Sequence, residues 1–319
     1  MKNKKEFMGD RIMLKNGQMW LDDVGNPIQA HGGNIIKYEN KWYWYGEHKG
    51  APNCSGLQRV DFIGISCYSS DNLMDWHYEG LALEAAPIGS GHMLEPKNVI
   101  ERPKVVFNKK TEQFVMWMHV DTADYVYGGI GVAVSKTPAG PFEFLYSTQP
   151  NKQDSRDMTI FIDKDDTAYL IHSSNWNKTL NISRLTDDYL KTDGFFISVL
   201  VDQEREAPAV FYKDNMYYMI TSGCTGWDYN SALYAECPYL LGKWKLIDNP
   251  CEGPGYRDTF KGQSTYVFEV DDNFYLMLDH WIPDDLQSSG YSILPITFED
   301  GRMSVRWCGS VEESGIKKI

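Results

Sequence analysis

The sequence predicts an all-β protein, a five-bladed β-propeller with four strands in each blade. Three observations support this prediction. A hairpin made of an apolar strand, a short polar turn and an aromatic-led strand occurs five times. A second, looser hairpin follows each copy, and neither a long amphipathic helix nor a linker interrupts the series. Repetition of a four-stranded unit at intervals of about 50 residues is typical of propeller blades.

The first hairpin of each repeat is expected at 33–47, 104–119, 159–173, 207–222 and 264–280. The turns are rich in Asn, Asp and Lys, which tight hairpins favour. The intervals between the leading aromatic residues are 72, 55, 48 and 57 residues, measured along Trp42, Phe114, Tyr169, Tyr217 and Phe274. The long first interval indicates an insertion around 82–93, and we expect it on the functional face.

The second hairpins are expected to begin near Gly64, Gly129, Thr179, Ser231 and Tyr291. A β-sandwich is the alternative fold, but a sandwich has no reason to repeat a pair of hairpins five times. Five repeats fill the chain, so we predict a single catalytic domain over residues 1–319, with residues 1–10 flexible.

The charge of the chain limits its partners. A net charge of −13 argues against nucleic acid, because phosphate binding needs clustered Lys and Arg. It argues less strongly against a polyanionic substrate. No apolar stretch approaches the roughly 20 residues of a membrane span. We therefore expect a neutral partner, no nucleic acid, no membrane and a monomer.

The cysteines and the N-terminus say little about the cellular compartment. The six cysteines include no CxxC pair, and we expect buried or free thiols rather than a disulfide framework. The first residues carry the positive charges of a signal peptide, but no apolar segment follows them. We expect either a cytoplasmic protein, or a secreted or periplasmic one whose leader has been removed.

Polar residues precede the first strand of every predicted blade. In a propeller these strands line the central channel, so their polar ends should converge on one axial pocket. Three of these residues are carboxylates, Glu101, Asp157 and Glu206. Burying carboxylates costs several kcal/mol unless they are paired. Ion pairs with neighbouring arginines are the purely structural explanation, and the candidates are Arg102, Arg156 and Arg205.

Several acids around one pocket match the needs of glycosidic bond hydrolysis. One protonated carboxyl group donates a proton to the leaving oxygen, and a second group activates or positions water. A carboxylate nearby raises the pKa of an acid, which keeps that acid protonated near neutral pH. Glu206, with Asp157 close to it, fits this arrangement.

Motifs from all five repeats also resemble those of a known family, and they occur in the same order along the chain. These motifs are Gly25-Asn-Pro-Ile-Gln-Ala-His-Gly-Gly, Tyr43-Trp-Tyr-Gly-Glu, Glu101-Arg-Pro-Lys-Val, Val115-Met-Trp-Met-His, Arg156-Asp-Met, Ser183-Arg-Leu-Thr-Asp-Asp-Tyr-Leu, Glu206-Ala-Pro-Ala, Thr221-Ser-Gly-Cys-Thr-Gly-Trp and Gln263-Ser-Thr. From about residue 20 to Trp307 the chain resembles glycoside hydrolase family 43, and within it subfamily 24, the exo-β-1,3-galactanases. The resemblance implies a five-bladed propeller and hydrolysis with inversion of configuration.

The resemblance implies roles for individual residues. Glu206 matches the general acid, Asp157 the acid that tunes it, and Gln263 the glutamine found where a base is wanted. Residues that match contacts to the terminal galactose are Glu101, Tyr125, Asn177 and Thr225. Most of the family has an aspartate base on the first blade, where this chain reads Gln29-Ala-His31. The base is therefore left open between Gln263 and Glu101, with Gln29 and His31 as candidate substrate contacts.

Several alternatives remain at this point. Much of the family has a metal near a central histidine, but no metal-ligand spacing is evident here, and we expect His31 to be a hydrogen-bonding residue. We predict no metal and no cofactor. Trp44, Trp227 and Trp281 could stack on a pyranose, with Trp227 favoured. The predicted activity is release of galactose from the non-reducing end of β-1,3-galactan. The alternatives are an α-L-arabinofuranosidase, a β-xylosidase and a non-catalytic sugar-binding propeller.

Overall fold

The computed structural model describes residues 13–312 and Ile316 of the chain. The segment predicted to be flexible, residues 1–10, lies outside the described residues. Five four-stranded antiparallel units follow one another along the sequence, and within each unit the four strands are hydrogen-bonded in sequence order. The five-bladed propeller with four strands per blade is confirmed.

Each blade occupies a continuous stretch of the sequence. Blade 1 contains β2 (His31–Tyr38), β3 (Lys41–Glu47), β4 (Gly64–Ser70) and β5 (His77–Glu84). Blade 2 contains β6 (Val99–Asn108), β7 (Gln113–Asp121), β8 (Gly129–Ser135) and β9 (Glu143–Thr148). Blade 3 contains β10 (Met158–Ile162), β11 (Ala168–Ser174), β12 (Thr179–Leu185) and β13 (Thr192–Val199).

Blade 4 contains β14 (Arg205–Lys213), β15 (Met216–Gly223), β16 (Leu233–Cys237) and β17 (Lys245–Asp248). Blade 5 contains β19 (Gln263–Val270), β20 (Asn273–His280), β21 (Gly290–Glu299) and β22 (Arg302–Arg306), and the short β18 (Cys251–Glu252) pairs with β22 in parallel. Three short 3-10 helices lie between strands, at Pro150–Lys152, Tyr256–Lys261 and Leu286–Ser288.

The innermost strands close into a ring. β2, β6, β10, β14 and β19 contact each other in turn, and β19 also contacts β2. Two short strands near the ends of the chain, β1 (Met13–Lys15) and β23 (Ser310–Glu312), form an antiparallel pair. Next to them the side chain of Asn16 bonds the main chain of Ile293 and Cys308, which ties the start of the described chain to blade 5.

The apolar core is divided among the five interfaces between blades. Five clusters of buried side chains each combine residues from two adjacent blades, including one cluster that joins blade 5 to blade 1. Trp44 lies in that last cluster, fully buried against Trp20, Trp76 and Tyr291. Its predicted role as a sugar platform is therefore wrong, because it packs between blades.

All six cysteines are free thiols, as predicted. Within the described part of the chain, no helix is long and apolar enough to cross a membrane.

Candidate active site

A polar residue stands near the start of the innermost strand in four blades, and each lies opposite a polar residue of the second strand. These pairs are His31 with Glu47, Glu101 with His119, Glu206 with Ser222, and Gln263 with Asp279. A β-bulge follows each of them, and Gly32, Arg102 and Ala207 have positive φ at these bulges. Bulges re-aim side chains at the rims of barrels and beside active sites. Here Glu101, Glu206 and Gln263 line one cavity.

An axial cavity of about 520 Å³ opens at this end of the propeller. Its wall includes all three predicted carboxylates, Glu101, Asp157 and Glu206, together with Gln263. A larger groove of about 780 Å³ lies between blades 2 and 3. Among the residues that the structure describes, Asp193 is the one carboxylate in its lining, and it pairs with Arg184. The group of acids that the chemistry needs is therefore in the axial cavity.

Glu206 is held from two sides. Its Oε1 accepts a hydrogen bond from Nε2 of Gln263 at 3.1 Å, and its Oε2 accepts one from Nδ2 of Asn177 at 3.2 Å. Burial and the charge of Asp157 raise the pKa of Glu206 to about 8, against the opposing charge of Arg102. The carboxyl group is therefore protonated at neutral pH, as a general acid must be.

The side chain of Arg102 lines the cavity and bonds to blades 3 and 5, and we infer that it closes the inner end of the cavity. Its guanidinium binds Asp157 through Nε and Nη2, and it donates to the main-chain oxygen of Ser264 and to Oε1 of Gln263. Its main-chain N–H donates to Glu47 of blade 1. Arg102 thus links blades 1, 2, 3 and 5. The predicted pairing of an arginine with one of the acids occurs here, between Arg102 and Asp157.

The oxygen and the nitrogen of the Gln263 side-chain amide each make two hydrogen bonds. Its Oε1 accepts from Arg102 at 2.6 Å and from Nε1 of Trp281 at 3.1 Å. Its Nε2 donates to Glu206 and to Oγ of Ser222. Arg and Trp side chains can only donate, so they fix which end of the amide is oxygen. That oxygen already accepts from two donors, which leaves it little capacity to accept from a water as well.

Glu101 lies in a different electrostatic setting from Glu206. It accepts from the hydroxyl of Tyr125 at 3.0 Å, and Nδ1 of His119 is 3.3 Å from its Oε2. Burial alone would raise the pKa of Glu101, but His119 and Lys49 together lower it to about 2. Despite burial, bonds to Asp121 and Glu101 raise the pKa of His119 to about 9. Glu101 is therefore ionised beside a protonated histidine.

Glu47 and Lys49 belong to the cavity wall, although neither was predicted from the sequence as a site residue. Nζ of Lys49 is 2.6 Å from Oε2 of Glu47. Burial raises the pKa of Glu47, and the charge of Lys49 opposes that shift. The signal that could have found Glu47 is its place at the end of an aromatic strand in blade 1, directly opposite His31.

The other predicted binding residues divide into two groups. Tyr125, Asn177 and Trp227 line the cavity. Oδ1 of Asn177 is buried and has no hydrogen-bond partner among the described residues, so it can accept from a sugar hydroxyl. Gln29, His31 and Thr225 do not line it.

Those three residues have structural contacts instead. His31 is fully buried between Asp279 and the hydroxyl of Tyr291, which agrees with its expected hydrogen-bonding role and leaves no access to a sugar. Gln29 is buried and donates to the main chain of Gln287. The hydroxyl of Thr225 donates to the main chain of Asp228 within its own loop.

The expected insertion at 82–93 is not part of the cavity wall. Residues Leu57, Gln58 and Arg59, from the segment between β3 and β4, form that side instead. The segment after β5 lies behind them, where main-chain oxygens of Pro96 and Lys97 accept from Phe62 and Arg59. Across residues 13–312 and Ile316, no group of three or more His, Cys, Asp or Glu side chains is arranged to hold a metal ion.

Comparisons with known proteins give similarities over most of the chain. The family described as Glycosyl hydrolases family 43 matches residues 24–250. A family 43 β-1,3-galactosidase in complex with galactodeoxynojirimycin is 38% identical over 93% of this chain and 99% of its own, with a TM-score of 0.87. A comparison with curated protein sequences gave no match.

Two further solved structures are similar over most of this chain. The exo-β-1,3-galactanase of Phanerochaete chrysosporium in complex with β-1,3-galactotriose is 32% identical over 95% of this chain and 69% of its own, with a TM-score of 0.86. The exo-β-1,3-galactanase of Clostridium thermocellum is 33% identical over 94% of this chain and 66% of its own, with a TM-score of 0.84. The present chain thus spans about two thirds of these two proteins.

Proposed function

Since the chain belongs to glycoside hydrolase family 43, we propose that it releases galactose from the non-reducing end of β-1,3-galactan. The similar solved structures are β-1,3-galactosidases and exo-β-1,3-galactanases, and they are similar over more than nine tenths of this chain. A neutral galactose-containing oligosaccharide or polysaccharide is therefore its substrate class.

The observation that carries the proposal is the protonated Glu206 beside Asp157 in a cavity with a closed inner end. Burial raises the pKa of Glu206 and so keeps a proton available for the departing glycosidic oxygen. With Arg102 at the inner end of the cavity, we expect a glycan to enter by its end. A closed pocket of this kind favours removal of the terminal sugar over cleavage inside the chain.

The proposed reaction is a single displacement. Glu206 gives its proton to the glycosidic oxygen while a water attacks C1 of the terminal galactose from the opposite face, which inverts the configuration. Asp157 keeps Glu206 protonated and Arg102 holds Asp157 in place. Because the oxygen of Gln263 is occupied, we assign Gln263 to positioning Glu206.

Glu101 is the group proposed to receive the proton of the attacking water. It is ionised, and each of its oxygens accepts one bond, to Tyr125 or His119, which leaves lone pairs available. The protonated His119 behind it compensates the negative charge that Glu101 carries before the reaction.

The function is tested by assaying β-1,3-galactobiose beside an aryl α-L-arabinofuranoside and an aryl β-xyloside. We expect hydrolysis of the galactobiose to exceed hydrolysis of either aryl glycoside. Faster cleavage of the arabinoside or the xyloside would assign another family activity, and binding without turnover would identify a sugar-binding propeller.

The role of Glu206 has its own test. Glu206→Gln should slow galactobiose hydrolysis by roughly 100-fold or more, the scale of a lost proton donor. Aryl galactosides with good leaving groups should lose less, because they need little protonation. Glu204→Gln, at an exposed position two residues upstream, is the control. Equal losses on good and poor leaving groups would contradict the assignment.

A further inference from the structure

The loops between the second and third strands surround the mouth of the cavity, and we call them the rim loops. They span 48–63, 122–128, 175–178, 224–232 and 281–289. In blades 2 to 5 each rim loop carries one or two aromatic residues. Tyr125, Trp227 and Trp281 line the cavity, and Trp176 is the aromatic residue of the rim loop of blade 3.

Trp176 combines high exposure with a left-handed backbone conformation. Its side chain is 64% exposed, more than that of Trp227 at 39%. The four-residue loop between β11 and β12 has three successive residues with positive φ, namely Asn175 (51°), Trp176 (56°) and Asn177 (61°). Asn tolerates this region, but a bulky residue such as Trp does so at a cost. Strain of this kind clusters at ligand-binding positions.

Neighbouring side chains hold the strained loop. Asp154 accepts hydrogen bonds from the main-chain N–H groups of Asn175 and Trp176 and from the hydroxyl of Ser174. The guanidinium of Arg156 lies 4.3 Å from the centre of the Trp176 ring, over its face. The loop is therefore built to present an aromatic ring that stays in solvent.

The position of Trp176 relative to the cavity follows from its neighbours. Arg156, which stacks on the ring, lines the cavity, and so does Asn177, the next residue. Trp176 thus stands at the edge of the cavity, outside the part that a terminal sugar occupies. Trp227 and Trp281, by contrast, form part of the cavity wall.

We propose that Trp176 is the stacking platform for the galactosyl unit third from the non-reducing end of the substrate. This proposal rests on the proposed function. An aromatic face matches the apolar face of a pyranose, and Arg156 fixes the ring in advance, so little conformational freedom is lost on binding. The unit that this ring contacts belongs to the leaving group, because the closed inner end of the cavity holds the terminal galactose.

The test compares substrates of different length. In Trp176→Ala, the ratio of kcat/KM for β-1,3-galactotriose to kcat/KM for β-1,3-galactobiose should fall about 3- to 10-fold, mainly through KM. Trp176→Phe should keep most of the wild-type ratio. Tyr239→Ala is the control, because Tyr239 is 74% exposed and follows β16, on the connection to β17 and away from the rim loops. The ratio of the two kcat/KM values in Tyr239→Ala should equal the ratio in the wild type.

Each other outcome has a definite meaning. An unchanged ratio in a folded Trp176→Ala variant would overturn the assignment of Trp176. A loss of equal size on both substrates would also overturn it, because the residue would then act on the first two units. A wild-type protein that hydrolyses neither oligosaccharide would refute the proposed function itself, and that result is distinguishable from the other two.

Discussion

At the scale of single residues, the site depends on two carboxyl groups with opposite protonation states. Burial and Asp157 raise the pKa of Glu206, whereas His119 and Lys49 lower the pKa of Glu101 even though it is buried. The two pKa values differ because of the neighbouring charges. Glu206 lies near the carboxylate of Asp157, whereas Glu101 lies near the cations His119 and Lys49. An acid and a base can therefore coexist in one cavity at neutral pH.

The pH profile should report the pKa of Glu206. Activity requires its protonated form, so activity should fall as the pH rises through about 8. Asp157→Asn removes the negative charge that favours the proton, so the basic limb of the kcat/KM profile should move to lower pH. Asp163→Asn, in the turn at the other end of blade 3, is the control. A basic limb that stays in place while activity drops would mean that Asp157 only binds the sugar.

The identity of the base is tested by chemical rescue. Glu101→Gln should abolish turnover at saturating substrate, and azide should restore it by forming α-galactosyl azide, because azide needs no base. Gln263→Ala should keep measurable turnover, and azide should not increase it, because Gln263 positions the acid. Rescue of Gln263→Ala with little loss in Glu101→Gln would reverse these roles.

At the scale of strands and loops, local irregularities position the site. β-Bulges follow Glu101 and Glu206, and both side chains line the cavity. Asn177, which also lines the cavity, is one of three residues with positive φ in the rim loop of blade 3. The regular hairpins form the scaffold, and the β-bulges and the loop residues with positive φ position the side chains of the site.

Asp154 should be necessary for the rim loop of blade 3. Asp154→Ala removes the acceptor of two main-chain N–H groups, which should cost about 1–3 kcal/mol of unfolding free energy. It should also lower kcat/KM, because Asn177 then no longer holds Glu206. Thermal unfolding and steady-state kinetics measure the two effects. Asp165→Ala, in an exposed turn of the same blade, is the control, and an equal effect in both variants would contradict a special role for Asp154.

The regular elements could be predicted from the sequence, but the irregular ones could not. Alternating aromatic strands and Asn- or Asp-rich turns located all five first hairpins. Glu101, Asp157, Glu206 and Gln263 stand before or within innermost strands, so their convergence also followed from the repeat. Glu47 was not predicted as a site residue because it lies on the second strand of its blade, where the repeat pattern does not place site residues. Thr225 was predicted to contact the sugar but does not line the cavity, and its hydroxyl donates to the main chain of Asp228 within its own loop, which no repeat pattern reveals.

At the scale of the whole molecule, stability is distributed over five similar interfaces. Each apolar cluster joins two neighbouring blades, and one of them joins blade 5 to blade 1 and so completes the ring. The substrate cavity lies on the axis of this ring. Contacts that close the ring therefore also define the shape of the site.

Asn16 should contribute strongly to this closure. Its amide makes three hydrogen bonds with the main chain of Ile293 and Cys308 and it is buried, so Asn16→Ala should lower the unfolding free energy by about 3 kcal/mol. Asn273→Ala, at a hairpin turn of blade 5, removes one bond to Asp271 and should cost much less. Denaturant unfolding of both variants measures the difference. Similar small losses would show that Asn16 does not close the ring.

The central claim, an inverting enzyme that removes the terminal galactose, is tested most directly by proton NMR during hydrolysis of β-1,3-galactotriose. Because water attacks the face opposite the leaving group, the first signals should be those of α-galactose and β-1,3-galactobiose, with β-galactose appearing later by mutarotation. Initial release of β-galactose would show retention and contradict the proposed single displacement. Release of the reducing-end galactose before the terminal one would contradict entry of the glycan by its non-reducing end.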